Sequence, residues 1–193
     1  MTTDSTPRPA PAAPRSPRPG GPALGVAALT TGLTAGSFFV FACAVMPGLG
    51  RGTDRAYIEV MRHINKVIQN PVFLAAFLGA PLSTAYAAWR LRRAPAGRWV
   101  LAALVAYGAA VALTAGVHVP LNDALAAAGD PARIADPAAV RADFEGPWVA
   151  WNAVRAVLCA LAFGLLCRAL VACGALAAQP VDGVAAAGSN ARR

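Results

Sequence analysis

The chain has 193 residues, 57% of them hydrophobic and only 13% charged. Soluble domains carry about 25% charged residues, so there is too little polar side chain here to cover a globular surface in water. That argues against a soluble enzyme, a disordered protein and a disulfide scaffold, while the net charge of +8 raises nucleic acid as a partner.

The first 22 residues hold seven prolines and three arginines, the composition of a disordered tail. Pro19 to Gly50, Val67 to Trp89 and Trp99 to Asn122 contain no Asp, Glu, Lys or Arg. A bilayer core about 30 Å thick needs about 20 apolar helical residues, and each window is long enough. A fourth, Trp148 to Cys173, is interrupted by Arg155 and Arg168. In lipid every backbone amide must bond within its own segment, so the spans are helices. The expected fold is all-α: a four-transmembrane-helix bundle over residues 22–176, with spans near 23–47, 71–90, 98–118 and 148–173. An extra amphipathic helix near 53–69 lies between spans one and two, and the termini, 1–21 and 177–193, are disordered. Small residues four apart (Gly32 and Gly36; Gly79 and Ser83; Gly108, Ala112 and Gly116; Ala160 and Gly164) predict close helix packing.

Ten basic residues fall in the N-terminal tail, the link between spans two and three, and the C-terminal side; six fall on the other side. This asymmetry predicts a multi-pass protein of the cell membrane with both termini cytoplasmic. It also removes nucleic acid as a partner and leaves the lipid bilayer.

Between spans one and two, Tyr57, Val60, Met61, Ile64, Val67 and Ile68 share one helical face, and Glu59, Arg62, His63, Lys66 and Gln69 the other. That pattern reads as an interfacial helix with its basic face toward headgroups. Asn65 departs from it, an amide on the apolar face that needs a partner. Asn70-Pro71 starts span two, with Pro in the first turn. Near the end of span three, Pro120 removes a backbone donor and disturbs the carbonyl one turn earlier. If the helix continues through the kink, His118 and Asn122 share a face. His118 is either a functional group at membrane depth or an interfacial residue bonded to water.

In span four Trp148, Trp151, Asn152 and Arg155 form one helical stripe. Arg168 lies near the end and can snorkel to headgroups. Arg155 lies about two turns inside and needs an acceptor. Two readings stand side by side: a structural ion pair with Asp123, Asp143 or Glu145, or a group that stabilises an anion in a pocket. Topology places these elements on one side of the membrane. A pocket opening toward the outer leaflet is expected there, lined by Asn65, His118, Asn122, Trp151, Asn152 and Arg155.

Other chemistry finds little support. Cys43, Cys159, Cys167 and Cys173 form no CxxC pair. His63 and His118, the two histidines, lack the HxxxH or ExxH context of haem or metal ligands. No Walker loop, GxGxxG, GxSxG or HExxH occurs.

The chain resembles a known group in a series of short motifs. These are Gly36-x-x-Phe39 with Val45-Met46-Pro47-Gly48-Leu49; Met61-x-x-Ile64-Asn65-x-x-Ile68-x-Asn70-Pro71-x-Phe73; Val119-Pro120-Leu121-Asn122; and Trp148-x-x-Trp151-Asn152-x-x-Arg155. Their order and spacing, from about Leu24 to Leu170, are similar to the small four-helix membrane proteins grouped with anthrone oxygenases. The resemblance implies oxidation of an anthrone to an anthraquinone by molecular oxygen, with no cofactor and no metal. The partners it implies are a hydrophobic aromatic small molecule and oxygen. His118 stands where the family pattern commonly has Asn, so a base role for it comes from chemistry and not from the resemblance.

An anthrone CH₂ is acidic, and its anion reacts with oxygen directly. A site for it needs a base and preorganised donors. The catalytic candidates are His118 as base, with Asn152 and Arg155 holding the anionic oxygen. The substrate-binding candidates are Asn65, Asn122, Trp148 and Trp151, the indoles stacking on flat rings. The alternative is a non-enzymatic scaffold, a lipid-binding subunit or a small transporter component, in which the polar stripe simply locks the bundle.

Overall fold

The computed structural model describes residues 21–178, with side chains to residue 174. The expected disordered tails, 1–21 and 177–193, lie almost wholly outside the described residues. The described chain is all helical. Four segments, Gly21–Leu49, Pro71–Leu91, Gly97–Ala127 and Pro137–Gly174, are long and apolar enough to cross a membrane.

Helix α1 (Gly21–Val40) passes through a π turn (Phe41–Val45) into a short α2 (Met46–Leu49). Thr53 caps α3 (Asp54–Val67), its side chain accepting from the Ala56 N–H at 3.4 Å. Asn70 caps α4 (Pro71–Leu91) more firmly, with Oδ1 accepting from the N–H groups of Val72 and Phe73 at 3.1 and 3.0 Å. This satisfies donors that a helix start leaves orphaned. Helix α5 (Gly97–Leu113) runs through a second π turn (Thr114–His118) into α6 (Val119–Ala127). A glycine with φ of 84°, Gly129, then reverses the chain. A 3₁₀ turn (Pro131–Arg133) leads to α7 (Pro137–Ala178), 42 residues long.

The bundle is a ring in which α1 packs on α4 and α7, and α5 packs on the same two helices. Its core is dominated by small side chains, among them Ala27, Ala80, Ala87, Ala103, Ala110, Ala162 and Ala169. Lipid offers no hydrophobic drive between helices, so association rests on close approach. Of the small-residue pattern, Gly32 and Gly79 meet a neighbouring helix: a Cβ at Gly32 would lie 3.0 Å from the Phe163 ring, and one at Gly79 3.8 Å from Thr30. Gly36, Gly108, Gly116 and Gly164 face open space instead, because spacing alone does not say which side of a helix meets a partner.

Helix α7 exceeds the expected span. At 1.5 Å per residue it is about 60 Å long, roughly twice the bilayer core. The expected outer loop before Trp148 is its first three turns. With α3 and α6 they build a second core of Met46, Tyr57, Ile58, Met61, Leu125, Ile134, Phe144 and Trp148. This corrects the reading of α3 as a helix resting its apolar face on lipid. Tyr57, Ile58 and Met61 are fully buried in protein, while Val60 and Val67 stay outside.

The basic side of α3 also works differently from expectation. Arg62 donates to the Gly129 carbonyl, and Arg55 to those of Pro131 and Ile134. Arg141 of α7 closes the other side. It donates to Glu145 at 2.6 Å and Asp54 at 2.9 Å, and to the carbonyls of Gly50 and Gly52. Together these arginines clasp a cap onto one end of the bundle. At the opposite end Arg98 and Arg168 both lie over the Trp99 ring, at 5.0 and 5.5 Å.

Candidate functional site

A cavity of about 420 Å³ lies where the cap meets the bundle, within the usual range for small-molecule sites. Two π turns frame it, Phe41–Val45 and Thr114–His118, each followed by a residue and then a proline, Pro47 and Pro120. Proline withholds a donor and crowds the carbonyl four residues back. A π turn accommodates this by adding a residue without ending the helix. The extra residue rotates everything after it, and that sets Phe41 and His118 toward the interior. The helix therefore does continue past Pro120, and His118 and Asn122 both line the cavity. A third proline, Pro81, acts by the same logic lower down. It leaves the Phe77 carbonyl without its helical donor, and the Tyr107 hydroxyl donates to it at 2.9 Å.

The walls are apolar on one side and polar on the other. Phe38 and Phe41 come from α1 and its π turn, Phe73 and Phe77 from α4, and Trp148 from α7. Phe73 and Phe77 are stacked at 5.9 Å with 9° between their planes. Asn65, Thr114, His118, Asn122 and Arg155 supply the polar side. Trp148 ties the two together. Its Nε1 donates to Asn122 Oδ1 at 3.1 Å, and its ring meets His118 edge-on at 5.3 Å.

Arg155 is 6% exposed. It donates to Thr114 Oγ1 at 3.1 Å and to Asn152 Oδ1 at 2.9 Å, and its guanidinium lies 3.9 Å over the Phe38 ring. No carboxylate pairs with it among the described residues; Glu145 and Asp54 are taken by Arg141. This removes the ion-pair reading of Arg155. A buried cation held only by neutral groups keeps most of its field available to an incoming anion.

Five buried polar side-chain atoms have no hydrogen-bond partner, and three belong to this cavity: Asn65 Nδ2, His118 Nε2 and Arg155 Nε. Buried polar groups are nearly always paired, so three orphans in one cavity are the mark of a place built to hold a polar partner. His118 is 1% exposed, which rules out the interfacial, water-bonded reading. Its Nδ1 lies 3.4 Å from the Leu113 carbonyl. A carbonyl only accepts, so Nδ1 carries the proton in that contact and Nε2 presents a lone pair.

Of the expected residues, Asn65, His118, Asn122, Trp148 and Arg155 line the cavity, whereas Asn152 and Trp151 do not. Asn152 is fully buried behind Arg155, bridging it to the Phe38 carbonyl at 3.2 Å; it positions the arginine and does not face a ligand. Trp151 is 42% exposed, so the stacking role expected of it is not available inside the cavity. Three residues advance 300° round a helix, which leaves Trp151 at the edge of the stripe. Sequence reasoning missed Thr114, Phe38, Phe41 and Phe77. Phe73 stood within a quoted motif without a role, and Phe39, quoted in its place on α1, is 62% exposed.

No curated protein and no solved structure matches the chain. The sequence model of one family, anthrone oxygenase, matches residues 61–165. That stretch runs from the α3 face of the cap through the uninterrupted body of α4, α5 and α6 into α7, and it includes every polar residue of the cavity.

Proposed function

The chain belongs to the anthrone oxygenase family, and from that premise we propose that it oxidises a lipophilic anthrone-type aromatic to the corresponding quinone with molecular oxygen. The reading requires no cofactor. It places the protein in the cell membrane with both termini cytoplasmic and the cap on the outer side. The arginine asymmetry of the sequence supports that orientation, as does the cluster of Arg98, Trp99 and Arg168 at the uncapped end.

The observation that carries the proposal is the pair formed by Arg155 and His118. A buried cation without a carboxylate and a buried imidazole with a free lone pair flank the same indole, Trp148, at 5.8 and 5.3 Å. The flat rings of an anthrone fit between the phenylalanine wall and Trp148. His118 Nε2 takes a proton from the CH₂ between the rings. The electron pair left behind delocalises onto the ring carbonyl oxygen, and Arg155 stabilises that oxyanion, oriented by Asn152 and Thr114.

The anion is electron-rich enough to pass one electron to oxygen, and the two radicals combine to form a C–O bond. The peroxide oxygen takes the proton back from His118. Removal of the second C–H proton then forms the carbonyl as the O–O bond breaks, and hydroxide leaves with that proton as water. One oxygen atom enters the quinone and the other leaves as water, so carbon supplies all four electrons. Preorganised donors of this kind are worth about 10²- to 10³-fold each, and a placed general base about 10²- to 10⁴-fold.

Oxygen uptake by the full chain in detergent with an anthrone tests this. Turnover by the wild type should fall at least about 100-fold in His118→Gln with helical content unchanged by circular dichroism. Equal uptake by wild type and variant would refute the role of His118. Equal uptake with and without the protein would refute the oxygenase.

A further inference from the structure

Resting on that reading, we propose that the aromatic substrate enters the cavity sideways from the lipid, through a mouth between α4 and the third span, flanked by Leu74 and Val119. Both residues line the cavity, yet they are 39% and 46% exposed. They stand on different helices, so the cavity reaches the surface between them. The packing explains the gap. Helix α4 packs along α5 but hardly touches the π turn or α6 above it. The π turn has shifted the third span, and Pro71 begins α4 too late to follow it.

Below the mouth Leu78 and Leu82 continue the row, 51% and 71% exposed. They lie at i+4 and i+8 from Leu74 and form an apolar track along α4 toward the opening.

A second route is polar. Between α3 and α6 a vestibule lined by Glu59, Arg62, His63, Lys66, Asp123 and Asp130 meets the cavity at Asn65, Gln69 and Asn122. A planar hydrocarbon leaving lipid through that ring of charges would lose its apolar contacts on the way, at about 25 cal/mol per Å². At the lateral mouth it exchanges lipid for leucine, valine and phenylalanine. The vestibule suits what the reaction trades with water: protons and the water it forms.

The test uses anthraquinone, which binds without reacting, and the full chain in phosphatidylcholine vesicles. Trp89, Trp99 and Trp151 are replaced by Phe so that Trp148 alone reports, through quenching. Leu74→Phe with Val119→Phe narrows the mouth; Gln69→Phe narrows the vestibule instead. The mouth variant is expected to slow binding and release together by about tenfold, with Kd within about twofold, because a passage alters rates and not the end states. Gln69→Phe should leave both rates within about twofold. Unchanged rates in the mouth variant, or slowing only in Gln69→Phe, would overturn the lateral route and leave the oxygenase standing. Absence of quenching in the parent would remove the substrate reading, and the route with it.

Discussion

The bundle and the cap are built by opposite rules. The bundle core is mostly alanine, with residues such as Ala27, Ala80, Ala103 and Ala162 fully buried. The cap core is methionine, isoleucine, tyrosine, phenylalanine and tryptophan, and it is fastened by Arg55, Arg62 and Arg141 to backbone carbonyls and carboxylates. In lipid, burying a large apolar side chain gains little over leaving it in the bilayer, so small residues and close backbones win. Where water reaches, burial of large side chains supplies the drive. The cavity sits at the seam, where the alanine packing ends and the cap packing has not yet closed. The two π turns lie at that level, and so does the unpaired cation.

The comparison can be broken or sharpened by substitution. The largest effect belongs to the seam. Arg155→Met should lower oxygen uptake by about 10²- to 10³-fold, as for loss of a preorganised donor. The same variant should unfold no more easily, since an uncompensated buried charge gives way to an apolar side chain of similar length; thermal unfolding in detergent checks this. Loss of stability together with loss of activity would make Arg155 a structural strut.

In the cap, Met61→Ala should cost about 2–5 kcal/mol by opening a void among large side chains. Cap unfolding is read by proteolysis within residues 50–60 or by a denaturation curve. In the bundle the sign reverses. There Ala103→Leu should cost about 1–3 kcal/mol by overpacking, whereas Ala103→Gly should be milder. If enlarging Ala103 stabilised the bundle, close packing would not be what holds it.

The smallest effect is expected at Tyr57. Its hydroxyl is buried without a partner, so Tyr57→Phe should be neutral or stabilising by up to about 1 kcal/mol. Burial, with the negative charge of Glu145 beside it, pushes the phenol above its ordinary value of 10.0. A raised value means the folded state holds the proton more tightly. The resulting stability is present below pH 10 and is lost as pH rises above it. Tyr57→Phe should therefore lose less stability than the wild type between pH 10 and 12, measured by unfolding across that range.

Much of this architecture was open to reading from residues alone. Charge-free windows locate spans because lipid excludes charge residue by residue, with no reference to neighbours. Asn70-Pro71 marks the start of α4 because a cap is a local bond. The stripe Trp148, Asn152 and Arg155 shares a face because helical phase is arithmetic. Asn65 stood out as a misplaced amide, and His118 and Asn122 as a pair conditional on the Pro120 kink.

Tertiary structure decided the rest. Gly146-Pro147 looked like the end of a loop, yet it lies inside α7; packing of the flanking turns against α3 and α6 outweighs the local preference. Trp151 belonged to the same stripe as Trp148, but only the positions of α1 and α5 determine where that stripe stops being interior. Arg155 bonds through Asn152 and Thr114, and behind them stands the Phe38 carbonyl, an acceptor that every residue type carries and no sequence can single out. The sequence determined that four helices form and that one arginine is buried among them. Which groups face that arginine depended on the phase of two π turns and the contact of distant helices, and those are properties of the packed chain and not of any segment in it.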